Sequence, residues 1–248
     1  MSPVLLLSIV LQVACCVHVV RTGRPMYWIF ILLLFSYLAV LIYFIAEVVP
    51  DLRNGGAARR MARKVQATVD PGRTRRQAEQ QLRVADTQTN RRAAAAERLA
   101  AGDHAGAAAL YRESLKGLYA QDPDLMLGLA QAQYGMGEPA QARATLEALI
   151  AANPNFRSPH GHLLYARTVE DSGDIVKALE EYAVVAKGYP GEEARARYGL
   201  LLRRQQRVDQ ARALFQEIVE RSATAPRYYQ REQKEWIALA RRQLAELG

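Results

Sequence analysis

Cysteine is nearly absent from this sequence, and so are the common catalytic motifs. The 248 residues include two cysteines, the adjacent Cys15 and Cys16, which excludes a disulfide framework and a CxxC redox pair. The chain has no GxxxxGK[ST] phosphate loop, no HExxH zinc motif and no GxSxG nucleophile motif. One close histidine pair, His160 and His162, lacks a cysteine or a suitably placed carboxylate to complete a metal site. We therefore expect no catalytic residues, no cofactor and no metal, so that the protein is not an enzyme.

Two long apolar runs open the chain. Residues 3–20 contain no charge, and residues 29–49 contain one charged side chain, Glu47. At about 1.5 Å per residue, a helix over the second run is about 31 Å long, close to the hydrocarbon thickness of a bilayer. These runs predict a transmembrane hairpin over residues 1–50, with spans at about 3–20 and 28–49. A cleaved signal peptide or lipoprotein leader is the alternative for the first run, although residues 1–4 carry no basic charge.

The net charge of +8 is concentrated directly after the second run. Residues 53–92 hold 11 Lys and Arg against 3 acidic residues, whereas residues 93–248 hold 20 of each. Because basic residues favour the cytoplasmic side, we expect an integral protein of a bacterial inner membrane with both termini and the polar part in the cytoplasm. Five basic residues are candidates for contact with anionic lipid: Arg53, Arg59, Arg60, Arg63 and Lys64. A topology signal alone is one alternative; nucleic-acid binding is disfavoured because no aromatic residues interleave with the charges.

The apolar start of the chain also resembles a known membrane anchor. An apolar helix, a loop with Arg21 and Arg24, and a second helix with Trp28 and a late Tyr43 are similar to the phospholipase D-nuclease N-terminal anchor of bacterial cardiolipin synthases, from about residue 5 to residue 49. That family usually has Pro and Gly inside the second helix, which this chain lacks. Catalysis there depends on paired HxK(x)4D motifs, and none of the four histidines here has Lys two positions later. The resemblance therefore implies the anchor and not the phospholipase chemistry.

A repeat runs through the remaining chain. A turn residue, an Ala five positions later and a large apolar residue four positions after that recur with Ala-to-Ala spacings of 35, 36 and 33 residues. The fourth copy has Gln206 in place of the turn Gly. The pattern resembles the tetratricopeptide repeat, a pair of antiparallel helices of about 34 residues. The repeat-core residues predicted in this way are Gly102, Ala107, Tyr111, Gly137, Ala142, Leu146, Gly173, Ala178, Tyr182, Ala211 and Phe215.

The first helix of each repeat supplies the candidate binding surface. In tetratricopeptide proteins these helices line a concave face that holds a protein or peptide. Aligning the turn positions places eight polar residues there, which we predict to form the partner groove: Gln131, Tyr134, His160, Arg167, Glu170, Asp171, Arg203 and Arg204. A solvated face without a ligand is the alternative for each of them. Replacing Arg203 and Arg204 together with Glu is expected to abolish partner capture.

The sequence thus predicts an all-α protein with three parts. They are a two-helix transmembrane hairpin (1–50), a basic helical connector (51–88) and a solenoid of about four tetratricopeptide-like helix pairs (89–248) with a capping helix at 227–247. We expect a non-catalytic, membrane-anchored adaptor or scaffold that binds a protein partner, with no nucleic acid and no small-molecule substrate. The alternative is an accessory protein of cardiolipin-type phospholipid metabolism or of envelope assembly, acting beside an enzyme.

Overall fold

The computed structural model describes Val17, Val20, Arg21, Asp70 and residues 72–247. The chain divides into two compact units, residues 1–73 and 74–248. Apart from Val17, Val20 and Arg21, the predicted spans and the anchor-like features lie outside the described residues, as do the five candidate lipid contacts. Among the described helices, none combines the length and the apolar character needed to cross a membrane.

The described part of the second unit is helical, without strands, and confirms the all-α solenoid that the repeat pattern predicts. The elements are α1 (Arg73–Val84), α2 (Gln88–Ala100), α3 (His104–Ser114), a 3-10 turn (Gly117–Tyr119), α4 (Pro123–Gly135), α5 (Pro139–Ala152), α6 (Pro159–Asp171), α7 (Ile175–Gly188), α8 (Glu193–Arg204), α9 (Val208–Thr224), α10 (Arg227–Glu232) and α11 (Lys234–Leu247).

Local sequence signals start these helices. Asp122 accepts a hydrogen bond from the backbone N–H of Leu125 at 3.0 Å, and Pro123 occupies the first helical position, where no N–H is needed. Ser158 caps α6 in the same way through Gly161 at 3.0 Å, again followed by a proline. The polar and proline residues between repeats therefore set where each first helix begins.

Four helix pairs follow one another along the chain: α2 with α3, α4 with α5, α6 with α7, and α8 with α9. Each second helix also packs against the first helix of the next pair, and α9 packs against α11. Contacts between neighbours in sequence are what define a solenoid, in which each unit buries its apolar face against the next.

The turn inside each pair adopts a left-handed backbone conformation. The φ angles are +80° at Gly102, +78° at Gly137, +86° at Gly173 and +61° at Gln206. Glycine adopts this conformation without steric cost. Gln206 has a Cβ atom, so its backbone is strained in the same conformation. The fourth turn therefore keeps the geometry of the other three although it has lost their residue type.

Small residues pack against large ones where the helices meet. The four repeat alanines are completely buried, and the large residue four positions after each is at most 5 % exposed. A Cβ added to Gly128 would lie 2.4 Å from the ring of Tyr111, and one added to Gly199 would lie 2.7 Å from the ring of Phe215. The backbone of the first helix thus approaches the aromatic side chain so closely that only glycine fits.

The predicted capping helix is two helices in the structure, α10 and α11, with a break at Gln233. The carboxamide oxygen of Gln233 accepts a hydrogen bond from the backbone N–H of Glu192 at 2.9 Å. Its position next to the start of α8 accounts for the break, and sequence periodicity could not show it. After the break, Ile237 and Ala240 are buried in one apolar cluster with Phe215 and Ile218 of α9, so α11 covers the last face of the array.

Helix α1 lies within the predicted connector, yet its contacts place it with the repeats. Thr74 donates a hydrogen bond to Glu97 of α2 at 2.7 Å, and Arg98 of α2 lies 3.7 Å from Glu79. Ala78 is buried at the same interface side of α1. The compact unit accordingly begins at residue 74, fifteen residues before the predicted start of the solenoid at 89.

Candidate partner-binding groove

The first helices α4, α6 and α8 line two cavities of about 590 and 450 Å³. Tyr134 and Arg167 border both cavities, and we call the two adjoining cavities together the partner groove. All eight residues that the sequence places on this surface line it. Gln131, Tyr134, His160 and Arg167 border the smaller cavity, and Tyr134, Arg167, Glu170, Asp171, Arg203 and Arg204 border the larger one.

Tyr134 and Arg167 form the centre of the groove. The Tyr134 hydroxyl donates a hydrogen bond to Asp171 at 2.6 Å, and the Arg167 guanidinium lies 4.7 Å from the centre of the Tyr134 ring. Burial raises the pKa of the Tyr134 hydroxyl, and the bond to Asp171 raises it further. Tyr134 therefore remains a neutral proton donor and joins α4 to α6.

Glu170 is held from two sides. The hydroxyl of Tyr182, a fully buried residue of α7, donates a hydrogen bond to Glu170 at 2.6 Å. Arg204 of α8 forms an ion pair with the other carboxylate oxygen. Burial raises the pKa of the Tyr182 hydroxyl well above its ordinary value, so the donor stays protonated. The Glu170 carboxylate is thus fixed by contacts within the protein.

Arg203 differs from Arg204 because it connects the partner groove to α11. Its guanidinium donates hydrogen bonds to Gln243 and Glu246 of α11. The bond from Arg203 lowers the pKa of the Glu246 carboxyl below its ordinary value of 4.5. Replacing Arg203 with Glu would therefore loosen the end of the array as well as change the groove.

The other end of the groove is less constrained. The His160 ring lies edge-on to Tyr189, with ring centres 5.3 Å apart and 3.0 Å between the Tyr189 hydroxyl and Nδ1 of His160. Gln131 is half-buried, and its side chain makes no hydrogen bond to the described residues. Its amide is free to bond a ligand, and Nε of Arg167 and Nδ1 of His104 in the same lining also have no hydrogen-bond partner among the described residues.

Sequence reasoning missed several lining residues. Glu193, Arg197 and Leu200 lie on the same face of α8 as Arg204, at the i, i+4, i+7 and i+11 positions of a helix, so helical spacing would have found them. Arg197 bonds Glu193 at 2.8 Å. By contrast, Gln243 arrives from α11, and no local pattern points to it.

The groove offers hydrogen bonds and charges of both signs. Four arginines and three carboxylates line it, and most of them are paired with each other. In the described part of the chain, no three His, Cys, Asp or Glu side chains cluster as a metal site requires. Such a surface suits the main chain and polar side chains of an extended peptide.

Comparison with known proteins agrees with this architecture. Family profiles described as tetratricopeptide repeat match residues 98–168 and 166–226. No curated protein sequence matches the chain.

Three solved structures show similar folds at low identity. TTC0263, described as a thermophilic TPR protein in Thermus thermophilus, gives a TM-score of 0.55 at 17% identity over 75% of this chain and 96% of that chain. MamA gives 0.50 at 16% identity over 64% and 89%. YrrB, described as a TPR protein with an unusual peptide-binding site, gives 0.49 at 16% identity over 63% and 81%.

Proposed function

We propose that this protein, whose residues 98–226 belong to the tetratricopeptide-repeat family, is a non-catalytic scaffold that holds a protein partner in the partner groove. Proteins with such repeats act as scaffolds for protein–protein interaction. The observation that carries the proposal is the convergence of eight polar residues from three first helices on one depression. A fold alone does not define a function, whereas this site brings specific side chains together.

The ligand that suits the groove is an extended peptide. Tyr134 and Arg167 present a stacked aromatic and cationic pair at its centre, and Gln131 offers an amide with both donor and acceptor capacity. Because Glu170 is already bonded to Tyr182 and Arg204, the groove is preorganised, which lowers the ordering cost of binding.

We further propose that residues 1–50 hold the array at a bacterial inner membrane with both termini in the cytoplasm. The apolar run at 29–49 and the basic residues that follow it support this arrangement. Anchoring would raise the local concentration of the scaffold relative to a membrane-bound partner. A reporter enzyme that is active only outside the cytoplasm, fused after Gly248, should stay inactive; activity would refute this topology.

The test of the groove is co-purification of the full chain from its native membranes in mild detergent. Gln131→Trp fills the groove without removing any contact that holds the fold. Gln141→Trp is the matched control, since Gln141 is an exposed residue of the second helix α5. A partner should fall at least about tenfold with Gln131→Trp and be kept by Gln141→Trp. Equal recovery with both variants would remove the scaffold proposal for this groove.

This pair of variants replaces the double Arg203 and Arg204 change. Loss of capture in that double variant would be ambiguous, because Arg203 also secures α11 through Gln243 and Glu246. The alternative role in phospholipid metabolism rests on the likeness of residues 5–49 alone. A change in cardiolipin content after gene deletion, with partner capture unaffected by Gln131→Trp, would favour it.

A further inference from the structure

A larger cavity, about 730 Å³, lies among α5, the start of α6 and α7. We call it the outer crevice. We refer to its buried lining residues Leu149 and Val185 as the floor and to the exposed Ile150 and Val184 as the mouth, and Phe156 of the α5–α6 loop also lines it. No residue of the outer crevice lines the partner groove. It is therefore a separate feature, and an inference about it does not rest on the proposed function.

The mouth of the outer crevice exposes apolar side chains from two helices. Ile150 of α5 is 51% exposed and Val184 of α7 is 61% exposed, whereas Leu149 and Val185 beside them are buried. Apolar surface that gathers around a cavity of this size is typical of a ligand site, because filling it removes that surface from water.

A longer loop accompanies the opening. Six residues, 153–158, connect α5 to α6, whereas four, 189–192, connect α7 to α8. The loop is folded on itself, since Arg157 donates a hydrogen bond to the backbone oxygen of Pro154 at 2.7 Å and Phe156 donates one to Asn153 at 3.0 Å. The loop thus lines the cavity instead of filling it.

The polar groups of the outer crevice carry a net positive charge. Arg157 and Lys177 line it and form no ion pair within 4 Å among the described residues, although Tyr165 and, from outside the lining, Glu147 raise the pKa of the Lys177 ammonium. Glu181 is the one lining carboxylate, and it lies 2.9 Å from Nε2 of His162. Lys177 sits over the ring of Tyr165, with its ammonium 5.6 Å from the ring centre. Two cations against one carboxylate leave a single positive charge, which complements a monoanion.

We propose that the outer crevice binds a long-chain fatty acid, with the acyl chain between Leu149 and Val185 and the carboxylate near Arg157 and Lys177. The apolar floor matches the chain, and the net charge of the lining matches the ionised head. The volume lies within the range of about 300–1,000 Å³ that small-molecule sites occupy. Such a ligand would differ from the groove's peptide in chemistry, in position and in the helices that it contacts.

Photo-labelling of the full chain tests the proposal. The probe is palmitic acid that carries a diazirine and an alkyne, and peptide mapping locates the adduct. We expect saturable labelling within residues 146–188 that excess palmitic acid removes. Labelling elsewhere in the array, or labelling that palmitic acid does not compete, would overturn the proposal.

Two variants separate the outer crevice from the surface around it. Val184→Trp fills its mouth, and Val176→Trp introduces the same side chain at a 72% exposed position of α7 that does not line it. Labelling should fall at least about tenfold in the first and stay unchanged in the second. Equal labelling in both would refute a ligand in the outer crevice. Both positions are exposed, so circular dichroism should report an intact helical fold.

The head group is tested with a fatty alcohol. Joint replacement of Arg157 and Lys177 with Gln should reduce labelling by the acid probe several-fold and leave labelling by the matching alcohol probe unchanged. If both probes lose labelling equally, the cations do not recognise a carboxylate. If a photoreactive side chain at position 184 instead captures a protein, the outer crevice is a protein-docking surface and the lipid proposal is wrong.

Discussion

The first and fourth helix pairs of the array differ in the size of the apolar side chains that they bury. In α2 and α3 the buried apolar residues are four alanines and Tyr111, whereas those of α8 and α9 include Leu201, Leu202, Phe215 and Ile218 beside three alanines. Alanines allow close helix approach but bury little apolar surface per residue. In a solenoid, stability is a sum of local terms, so this difference predicts an array that opens from its first pair.

Polar interactions also stabilise the fourth pair more than the first. At the fourth pair, the fully buried carboxylate of Glu192 accepts hydrogen bonds from Tyr229 at 2.7 Å, from Arg221 at 3.3 Å and from Arg195 at 3.3 Å. Burial and the bond to Glu192 raise the pKa of Tyr229 to about 12. The first pair is joined to α1 by the partly exposed Arg98–Glu79 pair at 3.7 Å, and surface pairs of this kind contribute little.

Replacing Phe215 with Ala is expected to have the largest effect on this contrast. Phe215 is completely buried, and removal of such a ring costs about 3–5 kcal/mol of unfolding free energy. In native-state hydrogen exchange of the full chain, α2 and α3 should exchange before α8 and α9, and Phe215→Ala should reverse that order. Leu214→Ala, at the half-buried neighbour, is the control that should preserve it. If α8 and α9 remained the slowest to exchange in Phe215→Ala, the proposed asymmetry would be wrong.

Replacing Glu192 with Gln should have the next largest effect. The change leaves buried Arg195 without its i−3 carboxylate and weakens the bond from Tyr229, which should cost about 2–3 kcal/mol. Glu217→Gln removes the outer, 47% exposed partner of the same arginine and should cost less than about 1 kcal/mol. Urea denaturation of both variants measures the difference. Equal losses would mean that burial of Glu192 does not matter.

The four turns permit a smaller and opposite test. Gln206→Gly should stabilise the fourth pair by about 0.5–1 kcal/mol, because it relieves the strain of the left-handed backbone. The greater conformational entropy of glycine in the unfolded chain offsets part of this gain. Gly137→Ala should cost about 1 kcal/mol for the reverse reason. Gln205→Gly, one residue away at a negative φ of −87°, is expected to destabilise slightly. Stabilisation by both glycine variants would show that strain at Gln206 is not the cause.

The smallest effect is expected from acid. Because Arg203 lowers the pKa of Glu246 in the folded protein, their pair stabilises α11 fully above pH 4.5, and this stabilisation is lost as the pH falls through the lowered folded-state value. Hydrogen exchange of α11 should therefore accelerate on acidification, and Arg203→Gln should remove that part of the pH dependence. At the α1 end of the array, Arg91 lowers the pKa of Asp86. Arg91→Gln should therefore change the pH dependence of hydrogen exchange only near α1 and α2. An unchanged acid response of α11 in Arg203→Gln would contradict this account.

Features that local chemistry sets could be predicted from the sequence. The turn positions and the buried alanines follow from spacing within one or two helices, even at Gln206, where the glycine is missing. The same spacing places the eight candidate groove residues around two cavities, and their role in binding a partner stays a prediction. Features that depend on distant residues could not be predicted. The break at Gln233 depends on a contact 41 residues away, and the bond from Arg203 to Gln243 spans 40.

The outer crevice illustrates the same limit. Its apolar residues look like ordinary core positions in the repeat pattern. Only the fold of the loop at 153–158 shows that α5 and α7 leave space between them. A repeat pattern predicts which residues face inward, but the distance between non-consecutive helices depends on the conformation of the loops.

The buried Glu192 also bears on how the chain is completed during synthesis. Most helices contact their neighbours in sequence, so successive pairs can fold as the chain leaves the ribosome. Glu192 is an exception, because its partners Tyr229 and Gln233 are 37 and 41 residues later. Until those residues emerge, the start of α8 carries a carboxylate without its hydrogen bond from Tyr229 and a backbone N–H without its bond to Gln233. The fourth pair should therefore remain open to chaperones and proteases until Tyr229 and Gln233 have emerged.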